Sequence, residues 1–256
     1  NDFFELGRAI VGAQPEMASI FNLVNGLLWA SGGAGQFEDR REGLSSLAVG
    51  VASRDVAPAV ADALAPLVED RGRIVTISNS STLRKALVLL KARAVRFQVA
   101  CAEGRPMFEG RDLASSLLKA GIPVRLVSDA AIYGELDGTA LTVVGADAIR
   151  PKVFTNKVGT WALLLAARER NSPFYVVAEK SKFLPESIRR TPRDQEAREI
   201  WPDAPAGIQI VNCYFEDAPL DVVNGVVIED GVLSSEAAAE TAAGVEVYPG
   251  LWCTGV

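Results

Sequence analysis

The residues able to do chemistry gather where short apolar runs end. RIVTIS, residues 73–78, runs into Ser78 and Asn79, with Ser80 and Ser81 next. RFQVACA is followed by Glu103, Gly104, Arg105 and Pro106, and PVRLVS by Asp129. LTVVG leads to Asp147, and PFYVVA to Glu179 and Lys180. Hydroxyls, amides, carboxylates and cations collected in this way suit a small polar ligand. The plainer alternative is that they are solvated ends of strands. Two stretches sharpen the choice. GADAIRPKVFTNKVGT puts Asp147 after one run and Asn156 and Lys157 just before a helical pattern. A helix start with free N–H groups beside a lysine is an anion site, and Gly159 would let the backbone approach a phosphate. Alternatively, Asn156 is a simple N-cap and Lys157 a solvated charge. Arg105, held before Pro106, could grip a phosphate bidentately, or make a surface salt bridge in a turn leading to a helix that Glu109 opens.

Other chemistries are excluded. The chain of 256 residues has no histidine, which removes the commonest general base and metal ligand. Its three cysteines, Cys101, Cys213 and Cys253, are scattered and odd in number. They suit a reducing cytoplasm rather than a disulfide framework. Neither a metal site nor a cofactor is expected. Net charge is −6 and no Lys/Arg run resembles a nucleic-acid footprint. No apolar stretch approaches the ~18 residues of a membrane span, and no secretory leader is read.

These residues need elements to position them. Up to about residue 70 the pattern is helical: Met17, Ile20, Phe21, Val24, Leu27 and Leu28 share one face, and Val56, Val60, Ala63, Leu64, Leu67 and Val68 another. SGGAGQ interrupts the first helix, and Gly72 is placed to stop the second. From Arg73 onward, β-rich runs alternate with helical patterns such as TLRKALVLLKA, GRDLASSLLKAG and KVGTWALLLAARER. That alternation predicts a parallel sheet covered on both faces. IQIVN, residues 208–212, reads as a sixth strand, residues 181–206 as a long loop with a short helix, and SSEAAAETAAG as a late helix capped at Gly244. The expected class is α/β: a helical N-terminal domain, 1–70, followed by a Rossmann-like parallel sheet domain, 71–256. In such sheets ligands bind beyond the carboxyl ends of the strands.

The blocks EGRP, EGRDLA, GIPVRLVSDAA, VVGADAI, TNKVGTWALLLAARERNSPFYVVAEKSKF and FEDAPLDVVNGVVIEDGV, in this order and spacing, resemble one family. It comprises the alpha, beta and delta subunits of translation initiation factor 2B, with methylthioribose-1-phosphate isomerase and ribose-1,5-bisphosphate isomerase. The resemblance implies a homodimer, a sugar-phosphate or nucleotide-phosphate pocket at the strand ends, and a protein partner as a further possibility. In the isomerases a cysteine after the first strand and an aspartate in the GAD block move a proton between adjacent carbons. By this resemblance Asp147 is the aspartate and Asn156 and Lys157 the substrate-holding pair. Gly12 and Ala13 of VGA, with Asn79, Arg105 and Glu109, complete the ligand-binding set. The cysteine position holds Ser78.

That substitution matters, because a thiol has a reference pKa near ~8.5, whereas an alcohol needs an adjacent base to act as an acid. Three more departures accompany it. Ile77 stands where the isomerases carry histidine, Val11 where they carry arginine, and Glu109 where glutamine is common. Cys101, on the neighbouring strand, either replaces the thiol in space or is a small buried hydrophobe. The expected function is a regulatory or non-catalytic phosphate-ligand binder. The alternatives are an aldose-ketose isomerase acting on a ribose 1-phosphate derivative and an assembly subunit with a vestigial pocket.

Overall fold

Leu83, Ala86, Leu87 and Leu90 recur at helical spacing, and they are the buried face of one helix, Ser81–Ala92. The computed structural model describes residues 2–13, 17–31, 54–136, 140–188 and 193–251. In chain order its helices are α1 (Asp2–Ala13), α2 (Ala18–Ser31), α3 (Ala57–Leu64), α4 (Ser81–Ala92), α5 (Glu109–Lys119), α6 (Thr160–Glu169) and α7 (Ser235–Ala243). Its strands are β1 (Gly72–Thr76), β2 (Phe97–Ala102), β3 (Val124–Val127), β4 (Ala140–Gly145), β5 (Ala148–Ile149), β6 (Val153–Lys157), β7 (Phe174–Val177), β8 (Phe215–Pro219), β9 (Gly225–Ile228) and β10 (Gly231–Leu233).

The fold is mixed α/β, with N-terminal helices and a mostly parallel central sheet. The seven-stranded sheet has the order β10-β9-β7-β4-β1-β2-β3, and only β10 runs antiparallel to its neighbour. Alternate side chains feed two cores. Val75, Ala100, Ala102, Val144 and Val176 pack toward α6 and α7 on one face. Ile74, Val99, Cys101 and Val143 pack toward α3, α4 and α5 on the other. The central strands β1, β2, β4, β7 and β9 are buried on both faces, as parallel pairing requires, while the edge strands β3 and β10 are partly exposed. A third cluster joins Phe21, Val24 and Leu28 of α2 to Ala148, Leu184 and Leu251. Chain order reverses between β1 and β4, so the switch point lies between their carboxyl ends.

Some local expectations need correction, while the late helix and the long loop with its short helix are found as expected. IQIVN is not a strand: Ile208 and Val211 are exposed, and no strand among the described residues offers them a ladder. The strand before α6 is VFTNK, which pairs antiparallel with β8 and β5 in a separate three-stranded sheet. Gly72 opens β1 instead of stopping a helix, and Arg71 takes the left-handed turn, with φ 61°. The long loop holds short 3-10 turns, Lys180–Lys182 and Ala197–Glu199. The late helix is α7, with Gly244 at its C-cap. SGGAGQ beyond Ser31, and Cys253, lie outside the described residues. No helix among the described residues is long and apolar enough to cross a membrane. Nor do those residues bring three or more His, Cys, Asp or Glu together to hold a metal ion.

Candidate functional site

Beyond β1 the chain turns through Ile77, which is buried, and Ser78, which is half-buried with φ 67°. A side chain held in that left-handed region costs about 1–2 kcal/mol. Ser80 then caps α4, its Oγ accepting from the Leu83 N–H at 3.3 Å. The polar cluster therefore divides. Ser80 and Ser81 start the helix, while Ser78 and Asn79 stay at the strand tip. Asn79 Oδ1 is buried there with no hydrogen-bond partner.

Across the switch point, β4 ends at Gly145. A Cβ on Gly145 would lie 2.6 Å from Ser80 Cβ, so only glycine lets the start of α4 come this close. Asp147 follows, half-buried. Its N–H donates to the Thr155 carbonyl at 2.8 Å, and its own carbonyl accepts from the Ala18 N–H at 3.2 Å. Strand β6 on one side and the start of α2 on the other thus fix its backbone.

Asn156 and Lys157 both lie within β6, and both are buried. Asn156 is not an N-cap: its Nδ2 donates to Thr160 Oγ1 at 2.9 Å, and Thr160 Oγ1 donates to the Lys157 carbonyl at 2.6 Å. The start of α6 is not free to take an anion. Glu216 Oε1 accepts from the N–H groups of Gly159 and Trp161, each at 2.8 Å. Strand β8 causes this, because its register sets Glu216 beside Asn156. Gly159, φ 99°, packs close to the residue before Ser78, and a Cβ there would sit 2.9 Å from Ile77 Cδ1.

Lys157 is only 2% exposed, and its Nζ donates to Glu109 Oε1 at 2.8 Å. The Tyr214 ring lies beneath the ammonium, 5.0 Å away. Glu109 opens α5, and its other oxygen, Oε2, is buried without a partner. Gly104, φ 77°, closes over that oxygen, since a Cβ on it would come within 3.1 Å. Asp129, after β3, holds the turn by accepting from the Gly104 and Arg105 N–H groups, both at 2.8 Å. The Arg105 guanidinium is exposed, 4.9 Å from the Phe108 ring, and donates to the Ile200 carbonyl at 3.3 Å. Tyr214 Oη donates to Glu199 at 2.6 Å. Burial first, then the bond and charge of Glu199 and the charges of Glu109 and Glu196, push its phenol up to about 12.

The tips of β1, β2 and β4 and the end of β6 thus carry Ser78, Asn79, Arg105, Glu109, Asp147, Asn156 and Lys157. Cys101 is no substitute thiol. It is fully buried, its Sγ–H faces the Gly110 carbonyl at 3.7 Å, and burial pushes its pKa up to about 11. Gly12 and Ala13 end α1 on the surface, where Arg193 donates to the Gly12 carbonyl at 3.1 Å. Glu199, Tyr214 and Glu216 escaped the sequence reading. They reach the site from residues 199–216, where the strand expected from the sequence, IQIVN, does not form and β8 begins instead at Phe215.

The profile of the Initiation factor 2 subunit family matches residues 2–235, so the chain belongs to that family. It is 32% identical to a translation initiation factor eIF-2B subunit 2-like protein of Pyrococcus horikoshii, over 90% of this chain and 80% of that one. It is 27% identical to a ribose 1,5-bisphosphate isomerase of Archaeoglobus fulgidus, over 90% and 76%. The crystal structure of translation initiation factor eIF-2B from Pyrococcus horikoshii superposes with a TM-score of 0.77 at 30% identity, covering 91% of this chain and 81% of that one.

Proposed function

We propose that this member of the Initiation factor 2 subunit family binds a phosphorylated sugar or nucleotide at its strand tips and does not isomerise it. The observation that carries the reading is the missing thiol. Ser78 stands at the cysteine position, and Cys101 is sealed in the core with its proton turned to a carbonyl. Moving a proton between carbons needs a base, and the chain has no histidine to activate an alcohol. Asp147, Asn156 and Lys157 nevertheless keep a fixed frame for hydroxyls and a phosphate.

In this reading Ser78, Asn79 and Asp147 meet the sugar hydroxyls, and Asn79 Oδ1 has the capacity to accept one. Arg105 and Lys157 meet the phosphate. Because Glu109 already neutralises Lys157, the phosphate displaces that carboxylate from the ammonium. Residues 1–70 act as a helical unit that contributes Gly12 and Ala13 to the ligand, and 71–256 as the binding unit of a homodimer.

A thermal-shift series tests the proposal, since a ligand that binds only the folded state raises Tm, by about 2.7 kcal/mol of stability at a hundred times Kd. The probes are ribose 1,5-bisphosphate, methylthioribose 1-phosphate and AMP. A shift with one of them, without ketose product, is the expected result. No shift with any probe removes the binding claim. The resemblance to a named isomerase supports a second reading, in which Asp147 moves the proton. Turnover by the wild type that Asp147→Asn abolishes would establish it instead.

A further inference from the structure

We infer that the chain carries a second ligand site, for a small organic acid with an apolar body, in a groove on the outer side of α4. The groove holds about 340 Å³, the lower end of the range for small-molecule sites. Its walls are Arg84, Lys85, Val88 and Leu89 of α4, Ser116 of α5, and Asp55 and Ala57 at the start of α3. None of these residues belongs to the strand-tip cleft, so the inference stands apart from the function proposed there.

Three ionisable groups face the groove, and they are unequally satisfied. Asp55 is occupied: its Oδ1 accepts from the Ala57 N–H at 3.3 Å and from Lys85 Nζ at 3.4 Å. Arg84 is not. Among the described residues its Nη1 reaches only Ser116 Oγ, at 3.4 Å, and its Nε is buried with no acceptor. A buried donor without a partner is costly, and a guanidinium is built to take a planar carboxylate with two of its N–H groups. One positive charge is therefore in excess, beside a wall made by Ala57, Val88 and Leu89. Those walls favour a carbon skeleton over a polyhydroxyl one. The ligand class that fits is a monoacid with an aromatic or aliphatic body, its carboxylate on Arg84 and Ser116.

Phenylacetate and its neutral amide, phenylacetamide, are the probes, titrated into the whole chain by ligand-observed NMR. Phenylacetate is expected to bind, and the amide to bind roughly tenfold more weakly, the worth of one charged hydrogen-bonding pair. Arg84→Met should weaken the acid by roughly the same factor and leave the amide unchanged. Ser116→Leu, which fills the groove, should abolish binding of both. Circular dichroism checks folding, and Arg84→Gln replaces Arg84→Met if the latter does not fold. The inference fails if phenylacetate does not bind the wild type, if the amide binds equally well, or if Ser116→Leu leaves binding intact. Neither variant should alter the thermal shift given by ribose 1,5-bisphosphate, so failure here and failure at the strand tips read out separately.

Discussion

Helices α4 and α6 both start at the candidate site, yet their first turns are satisfied in opposite ways. The α6 start is closed from within, with the Glu216 carboxylate already on its N–H groups. The α4 start has only the neutral Ser80 hydroxyl as a cap, and beside it Asn79 holds an unused buried oxygen. In sequence, the lysine and glycine before α6 made it the more attractive anion site. The structure moves the spare hydrogen-bonding capacity to the switch point beside α4. A helix terminus can be judged only when the groups arriving from distant strands are known.

The comparison can be broken most forcefully at the α6 side. Glu109→Ala leaves Lys157 buried and unpaired, and should cost about 3 kcal/mol in urea unfolding. Glu109→Gln keeps a hydrogen bond but frees the charge, so it should lose less stability and tighten phosphate binding. Weaker phosphate binding in that variant would contradict the displacement of Glu109. Glu216→Ala removes a charged acceptor from two N–H groups, an expected loss of about 2 kcal/mol, and opens the α6 start to inorganic phosphate. If phosphate then raises Tm no more than in wild type, α6 is not a latent anion site.

On the α4 side the effects are smaller. Gly145→Ala drives a methyl into Ser80 and should destabilise by about 1–3 kcal/mol, with loss of the thermal shift as α4 backs away. Ser80→Ala should cost about 1 kcal/mol. The last test concerns pH. The Tyr214 phenol is raised from an ordinary value of 10 to about 12, so the unfolded chain releases that proton first as pH climbs. Stability from Tyr214 is present below pH 10 and is lost through about pH 12. The fall should be shallower in Tyr214→Phe, and identical slopes would refute it.

Most of the central sheet could be read in the sequence because its inner strands are buried on both faces, so that RIVTIS, RFQVACA and PFYVVA are dominated by apolar residues. The small sheet could not. VFTNK and FEDAP mix apolar and charged residues without a clean period, and each gains meaning only from the other. IQIVN misled for the opposite reason: an apolar run with no partner strand stays on the surface. The site followed the same division. Ser78, Asp147, Asn156 and Lys157 adjoin or lie in recognisable blocks. Glu216 also lies in such a block, FEDAPLDVVNGVVIEDGV, and Tyr214 just before it, but both act on the site across more than fifty residues of chain and no local signal links them to it.

The pairing of β6 with β8 also constrains how the gene can change. Five consecutive residues are in register, from Val153 with Pro219 to Lys157 with Phe215. Inserting one codon just ahead of Glu216 would shift the register of the rest of β8 and turn those side chains to the opposite face. Glu216 would swing off the helix start and a neighbour would take its place. Length variation among descendants should therefore gather in 193–211, while 215–219 keeps a constant number of residues even where their identities drift.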